Sequence, residues 1–151
     1  MTNGLPEQLA VTIAYLDANA IIRFVEADDD LFESILHRVR GGTLRLCTSE
    51  FTLAEVLVLP LRELNDELAA VYETLLSTDG ELEIVPLSRA VLRKSAELRA
   101  GSRSKAPDAI HVATAVLSDC TVFVSSDQRL HLPPTIRRID ADRVRGPENW
   151  D

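Results

Sequence analysis

Residues 11–22 read VTIAYLDANAII, and a single acid, Asp17, interrupts this apolar stretch. Residues 11–16 are β-branched, apolar and aromatic, which is typical of a buried strand, and residues 18–25 continue as an apolar segment compatible with a helix. Asp17 therefore stands where a strand gives way to a helix. Its carboxylate could cap the helix by accepting hydrogen bonds from backbone N–H groups, or it could be a ligand at the edge of a sheet.

The rest of the chain repeats this alternation of short strands and helices. Apolar strands are predicted over residues 44–47, 82–85, 121–124 and 135–139, and helices over residues 31–40, 48–59, 61–76, 88–99 and 108–117. Caps, breaks and turns bound these elements: Asp28 or Asp29, Pro60, Asp79-Gly80, Ser88, Gly101 and Pro107. This alternation predicts an α/β fold, a three-layer α/β/α sandwich with a mainly parallel central sheet.

The length and composition predict one domain. The chain has 151 residues, of which 46% are hydrophobic, enough for one core and too few for two. We expect the core over about residues 11–139 and a polar, loosely ordered tail over residues 140–151. No apolar run is long enough to span a membrane, and the N-terminus has no signal-peptide pattern, so we expect a cytoplasmic protein.

The cysteines and histidines do not predict a metal site built on sulfur and nitrogen. Cys47 and Cys120 have no CxxC spacing and lie in apolar surroundings, which predicts buried, reduced thiols. His37, His111 and His131 form no HxxxH or HExxH pair. Any metal ion should therefore be held by oxygen atoms.

Charge is distributed unevenly along the chain, although the net charge is −8. Residues 1–85 carry 5 basic and 16 acidic side chains, whereas residues 86–151 carry 11 basic and 8 acidic ones. An acidic chain would ordinarily argue against a nucleic-acid partner, because phosphate binding depends on Lys and Arg. The second half nevertheless holds cations that form either a basic wall for phosphate groups or a solvated helix face: Arg89, Arg93, Lys94, Arg99, Arg103 and Lys105.

Three acids fall at the sheet edge where ligands bind in folds of this class. Asp17 follows the first strand and Asp127 follows the fourth. Asp108 opens the helix that leads into the fourth strand, and such a helix must begin near the carboxyl edge. Each acid also has a purely structural explanation, as a helix cap for Asp17, a partner of the helix dipole for Asp108 and an Asx turn for Asp127. Like charges gathered at one edge repel each other unless a cation lies among them.

Glu55 is a fourth candidate, within an apolar helix. It fits a capping-box spacing with Thr52, although the predicted helix begins earlier, and a partner across the sheet edge would also explain it. Four carboxylates without nitrogen or sulfur ligands suit a hard cation such as Mg²⁺ or Mn²⁺, which phosphate oxygens commonly complete. This chemistry predicts phosphoryl or phosphodiester hydrolysis, in which the metal orients an attacking water and lowers its pKa.

Four segments resemble the PIN-domain ribonucleases, especially the VapC-type toxins of toxin–antitoxin pairs. They are YLDANAII around Asp17, TSEFTLAEVLVLP around Glu55, KAPDAIHVATAV around Asp108 and VFVSSDQRL around Asp127. The resemblance implies an α/β/α sandwich and a Mg²⁺- or Mn²⁺-dependent endoribonuclease that leaves 5′-phosphate and 3′-hydroxyl ends. It also implies that these four acids are the catalytic and metal-binding residues.

The resemblance extends to two supporting positions. Asn19 matches a frequent polar position and could orient Asp17 through a hydrogen bond, and Ser125 matches a hydroxyl position of the family. Ordinary turn and helix-start chemistry would also explain both residues. The chain departs from the family at Ser125, where Thr is more usual, at Leu130, where an aromatic residue is frequent, and at Ala18, where a hydroxyl residue often stands. These departures leave the four acids intact.

By resemblance, the partners are an RNA substrate, a small antitoxin protein that blocks the active-site groove, and a second copy of the chain in a homodimer. The apolar stretch over residues 53–76 is the predicted contact surface, unless it is core. Other hypotheses are a solitary RNA-processing PIN nuclease, a haloacid-dehalogenase-like phosphatase and a non-catalytic PIN-like binding module. The phosphatase would need an acid at Asn19, and the four acids argue against the binding module.

Overall fold

The computed structural model describes residues 10–27, 29–77, 80–146 and 150. The strands in this part of the chain are β1 (Thr12–Leu16), β2 (Leu44–Ser49), β3 (Leu82–Val85), β4 (Val122–Ser125) and β5 (Arg137–Asp140). The helices are α1 (Ala18–Ala27), α2 (Asp29–Arg40), α3 (Phe51–Val56), α4 (Val58–Arg62), α5 (Asp66–Leu75), α6 (Arg89–Ala100), α7 (Ala106–Leu117) and a 3-10 helix (Ala141–Arg143). No helix within these ranges has both the length and the apolar character that a membrane span requires. The predicted cap at Asp28 and turn residue Asp79 lie outside the described residues.

All strand pairs are parallel, and the strand order is β3-β2-β1-β4-β5. The chain runs outward from β1 to β3 and then crosses back to β4. The direction of strand order therefore reverses at β1, between its neighbours β2 and β4. In open α/β sheets, a crevice forms beside such a reversal at the carboxyl ends of the strands.

Side chains alternate between the two faces of the sheet, and helices cover both faces. On one face, which we call the α1 face, Leu16, Leu46 and Val124 pack with side chains of α1, α2 and α5. On the opposite face, the α7 face, Tyr15 and Phe123 pack with side chains of α6 and α7. The predicted three-layer α/β/α sandwich is confirmed, and the sheet is parallel throughout.

Helices α6 and α7 begin and end within two residues of their predicted bounds. Ser88 Oγ accepts a hydrogen bond from the N–H of Val91 at 3.2 Å, and Gly101 ends α6. Pro107 lies in the first turn of α7, where the N–H that proline lacks would have no helical partner. These local signals place the start of α7 correctly, and with it Asp108.

The structure differs from the prediction between β2 and β3. Two residues predicted to open a helix end β2 instead: Thr48 and Ser49. Pro60 does not break a helix, because it is the third residue of α4, where a missing N–H costs nothing. The chain instead turns at Leu64, which has a positive φ of 56°, and Asn65 then caps α5. The predicted break at Pro60 is therefore wrong.

The segment after β5, predicted as a polar tail, contributes to the core of the α1 face. Ala141, Val144 and Trp150 are buried there among the side chains of α1, α2 and α5. The polar residues around them led to the prediction, but one large aromatic ring and two small apolar side chains are enough to hold the segment against the sheet. The expected boundary between core and tail near residue 139 does not hold for these three residues.

Cys47 and Cys120 are buried free thiols on the α7 face, as predicted. Their Sγ atoms are 3.1 Å apart. The hydrogen bond with Cys120, together with burial, raises the pKa of the Cys47 thiol far above its usual range.

Candidate active site at the carboxyl edge of the sheet

The ends of β1 and β4 bring Asp17 next to Ser125. The parallel register pairs Leu16 with Val124, and the backbone N–H of Asp17 donates to the carbonyl of Val124 at 3.4 Å. Successive side chains of a strand point to opposite faces of the sheet. Because Tyr15 points to the α7 face, Asp17, two residues later, lies on that face too, and Ser125 follows the same alternation in β4. The site is therefore built at the carboxyl edge of this face.

Asp17 is buried, with 9% of its surface exposed, and its carboxylate has two hydrogen-bond donors. The N–H of Ala20 donates to Oδ1 at 2.9 Å, which confirms that Asp17 caps α1. The hydroxyl of Ser125 is the other donor. Burial raises the pKa of Asp17, and these two hydrogen bonds oppose the increase without cancelling it. A nearby cation stabilises the ionised form of a buried carboxylate whose pKa is raised in this way.

Asp127 is tied to the same serine. Its backbone N–H donates to Ser125 Oγ at 3.0 Å, so Ser125 links the residues that follow β1 and β4. The carboxylate of Asp127 accepts a hydrogen bond from the N–H of Arg129 at 2.9 Å, which confirms the Asx turn. The Nε atom of Arg129 lies 3.7 Å from the same carboxylate.

Asp108 lies in the first turn of α7, where the helix dipole favours an acid. It shares a cleft of about 390 Å³ with Asp127. The other side chains that line the cleft are mostly cationic or polar: Arg103, Ser104, Lys105, Arg129, Leu130 and His131. The cleft therefore combines two carboxylates with cations that can bind phosphate oxygens.

Glu55 has a partner that the sequence did not indicate. Its Oε1 lies 2.5 Å from Nε2 of His111, and its side chain is 32% exposed. The capping-box interpretation is wrong, because Glu50 precedes α3 without a side-chain cap and the Thr52 hydroxyl is bonded to Thr48 instead. Glu55 also acts on Asp17 through space, since its negative charge raises the pKa of Asp17.

His111 was missed as a site residue because it forms no histidine motif. It is 4% exposed, and its Nδ1 lies 2.5 Å from the hydroxyl of Tyr15. Two signals could have found the pair. His111 is three residues after Asp108 in a helix, and Tyr15 is two residues before Asp17 in a strand, so each shares a side of its element with a candidate acid.

The donor chemistry of the site fits a hard divalent cation. The four predicted acids offer oxygen ligands, and the burial of Asp17 makes a cation beside its carboxylate favourable. The described residues contain no group of three or more His, Cys, Asp or Glu side chains close enough to hold a metal ion together. Asn19 is exposed in the first turn of α1, and the hydrogen bonds to Asp17 come from Ala20 and Ser125 instead.

The predicted basic wall divides into two parts. Arg103 and Lys105 line the cleft with the acids. The other four lie on α6, where Arg93 and Lys94 are 3.4 Å and 3.6 Å from Glu97, and Arg89 and Arg99 are exposed. They are not among the described side chains that line the cleft.

A further cation contacts the site from β5. Arg138 Nη1 donates to the carbonyl of Ser125 at 2.6 Å. Arg138 and Arg129 of the cleft were not among the predicted cations, all of which precede Asp108 in the sequence.

Solved structures from three organisms share the fold of this chain. The chain is similar to a chain of a toxin–antitoxin complex from Klebsiella pneumoniae (19% identity, 85% of this chain, 97% of that chain, TM-score 0.60). It is also similar to a chain of VapBC2 from Rickettsia felis bound to a promoter DNA fragment (16% identity, 85% of this chain, 98% of that chain, TM-score 0.64). A chain of FitAcB from Neisseria gonorrhoeae is similar as well (18% identity, 87% of this chain, 99% of that chain, TM-score 0.60). No curated protein sequence matches the chain.

The family model for the PIN domain matches residues 14–134. The match begins within β1 and extends beyond Asp127, so it includes all four candidate acids and the edge at which they lie. It covers most of the chain, and the chain belongs to the PIN domain family.

Proposed function

We propose that this PIN domain is an endoribonuclease that hydrolyses RNA phosphodiester bonds with Mg²⁺ or Mn²⁺, and that it is the toxin of a toxin–antitoxin pair. The observation that carries the proposal is the cleft in which Asp108 and Asp127 share a lining with Arg103, Lys105 and Arg129. PIN domains are nucleases, and this combination of acids and cations is the one that a phosphodiester substrate requires.

Each part of the edge has a role in this mechanism. The divalent cation would be held by the four acids Asp17, Glu55, Asp108 and Asp127. When bound, such an ion neutralises charge on the phosphate and lowers the pKa of an attacking water. The cations of the cleft bind the phosphate oxygens of the RNA backbone. Ser125 fixes the residues after β1 and β4 relative to each other by bonding to both.

The direct test is cleavage of a fluorescently labelled single-stranded RNA by the purified chain, free of any co-purified peptide. We expect cleavage with Mg²⁺ or Mn²⁺ and none with EDTA. The variant Asp108→Asn should lose activity, because it removes one negative charge from the cleft. Asp66→Asn is a matched control, since Asp66 also lies in the first turn of a helix, α5. The control should cleave as the wild-type chain does.

Two results would contradict this proposal. Cleavage that persists in EDTA would exclude a role for the metal, and equal activity of Asp108→Asn and Asp66→Asn would show that the cleft is not the site. Release of inorganic phosphate from small phosphate esters without cleavage of RNA would favour the phosphatase hypothesis.

The antitoxin part of the proposal is supported by a second surface. Large apolar side chains are exposed on α4, α5 and the turn between them: Val58, Leu59, Leu61, Leu64 and Val71. They fall within residues 53–76, the predicted contact stretch, and such side chains are common where proteins associate. Co-expression with the product of the neighbouring open reading frame tests this part, and we expect a stable complex without RNA cleavage. Light scattering on the chain alone tests the proposed homodimer.

A further inference from the structure

A chain of buried hydrogen bonds connects the centre of the sheet to Glu55. The backbone N–H of Ser49, at the end of β2, donates to the hydroxyl oxygen of Tyr15 at 3.1 Å. That hydroxyl lies 2.5 Å from Nδ1 of His111, and Nε2 of His111 lies 2.5 Å from Oε1 of Glu55. The chain therefore joins β2, β1, α7 and α3, and it ends on a carboxylate of the candidate site.

The donors and acceptors of this chain follow from the contacts. The Tyr15 hydroxyl accepts from the N–H of Ser49 and donates its own hydrogen to Nδ1 of His111 when that nitrogen carries no proton. A histidine that accepts at Nδ1 carries its proton at Nε2 when neutral, so Nε2–H donates to Glu55. When His111 is neutral and Glu55 is ionised, this arrangement of hydrogens satisfies all three side chains, and Tyr15 then selects the tautomer that serves Glu55.

Aromatic packing holds both rings in place. Tyr15 stacks on Phe123 with ring centroids 4.8 Å apart. His111 meets Tyr15 and Phe51 edge-on, at 5.7 Å and 5.9 Å. Tyr15 is fully buried and His111 is 4% exposed, so neither ring has room for another rotamer without disturbing its neighbours. The donor that faces Glu55 is therefore preorganised.

An apolar side chain would serve the core at position 111 at lower cost. The described neighbours on α7 that share its burial are mostly small or apolar, among them Ala109, Val112 and Ala115. Burying an imidazole there is unfavourable unless both ring nitrogens are bonded. Glu55, in contrast, is partly exposed and needs no buried partner to be stable. The arrangement thus favours the orientation of Glu55 over the stability of the core.

We propose that His111, oriented by Tyr15, is a positioning residue that fixes the carboxylate of Glu55 for a divalent cation. Its bond occupies Oε1 of Glu55, which leaves Oε2 available as a ligand. Carboxylates that ligate metals are commonly held in this way by a second hydrogen-bonded group. The inference rests on the proposed function, since it assumes that Glu55 contributes to a metal site.

The test measures binding of Mn²⁺ alone, without RNA, by titration calorimetry and by the loss of the free-ion electron paramagnetic resonance signal. His111→Leu removes both hydrogen bonds, and we expect Mn²⁺ affinity to fall about 10- to 100-fold. His111→Gln keeps an N–H donor near the position of Nε2 and should recover most of the affinity. Tyr15→Phe keeps the stacking on Phe123 but frees the histidine tautomer, and we expect an intermediate loss.

Thr114→Val is the matched control on the same helix. Thr114 is also buried on α7, but its hydroxyl donates to the carbonyl of Ile110 at 2.7 Å and takes no part in the chain. We expect wild-type affinity for this variant. Circular dichroism and thermal melts establish that each variant is folded, and if His111→Leu is not, His111→Gln and Tyr15→Phe carry the test.

The outcomes separate this inference from the proposed function. A wild-type chain that neither binds Mn²⁺ nor cleaves RNA overturns the proposed function, and the inference with it. A wild-type chain that does both, together with unchanged Mn²⁺ affinity in folded His111→Leu or, where that variant does not fold, in folded Tyr15→Phe, overturns the inference alone. An equal loss in Thr114→Val would assign the effect to the packing of α7 and would also overturn it.

Discussion

The two faces of the central sheet are built from the same strands but differ in the polarity of the side chains that they bury. On the α1 face, the described buried side chains are mostly apolar, and the polar ones among them, such as Tyr72 and Thr48, are hydrogen-bonded. At the carboxyl edge of the α7 face, buried polar groups include Tyr15, His111 and Asp17. One face therefore stabilises the sheet by burial, whereas the other holds polar groups that cost stability unless they are bonded.

This difference separates stability from chemistry within one layer of strands. Residues 14 and 16 of β1 point into the α1 face, and Tyr15 points into the α7 face. Neighbouring residues of one strand thus contribute either to the apolar core or to the candidate site. Substitutions on the α1 face should change stability with little effect on the site, and substitutions at the edge of the α7 face should do the reverse.

The largest effect is expected for Asp17→Asn at the edge of the α7 face. Asparagine keeps the cap of α1, because it accepts from Ala20 as aspartate does, but it removes the charge. Loss of a metal ligand removes several kcal/mol of transition-state stabilisation, so we expect RNA cleavage to fall about a thousandfold. The measurement is kcat/KM on a labelled RNA. Activity within a few-fold of wild type would remove Asp17 from the site.

The matching change on the α1 face is Trp150→Ala. Trp150 is 1% exposed in the core of that face, and such truncations cost about 3 to 5 kcal/mol in the free energy of unfolding. Urea unfolding followed by circular dichroism measures this loss. RNA cleavage at a temperature where the variant is folded should stay near the wild-type rate. Unchanged stability would show that the segment after β5 does not belong to the core.

Asp17→Asn should also have a smaller effect on thermal stability, and there we expect an increase in Tm. Burial raises the pKa of Asp17 in the folded chain, so the folded state keeps this proton to a higher pH than the unfolded state. Stability therefore falls as pH rises through that interval, and the charged carboxylate is unfavourable at neutral pH. In EDTA at pH 7, the Tm of Asp17→Asn should exceed that of the wild-type chain.

The pH dependence supplies the control for this prediction. The difference in Tm should shrink as pH falls towards 3.8, the ordinary pKa of an aspartate, because the wild-type side chain is then neutral too. Asp66→Asn should show no such gain at pH 7. A wild-type chain that is more stable than Asp17→Asn at neutral pH, with EDTA present, would be inconsistent with an unfavourable buried charge.

The smallest effect is expected outside both faces, at Leu64. It is 84% exposed and has a positive φ, a conformation that costs a residue with a side chain about 1 kcal/mol. Leu64→Gly removes that strain, and its gain is partly offset by the greater freedom of glycine when unfolded. We expect a slight increase in Tm and unchanged RNA cleavage. A decrease in Tm would mean that the Leu64 side chain makes a stabilising contact.

Much of the fold was predictable because its signals are local. The strands are short apolar runs, and Ser88, Gly101 and Pro107 mark the ends of α6 and α7 in the sequence itself. The region from α3 to α5 was not predictable in this way. There the break depends on the backbone of Leu64, a residue with no intrinsic preference for a positive φ, while Pro60 fits within the first turn of a helix.

The candidate acids were predictable from topology, but their partners were not. The rule that ligands bind at carboxyl ends of parallel strands brings Asp17 and Asp127 to one edge. The pairing of Glu55 with His111 depends on how α3 packs against α7, which no local pattern encodes. Burial of Trp150 has the same cause, because it follows from tertiary packing and not from the polar composition around it.

The strand order also sets when the site is completed during synthesis. On one side β1 pairs with β2, which follows soon after, but on the other side Ala14 pairs with Val122 in β4. Until the second half of the chain has been made, Asp17 and Glu55 lack their hydrogen-bond partners Ser125 and His111, and the cleft residues Asp108 and Asp127 are still missing. The ribosome therefore finishes most of the chain before the cleft exists.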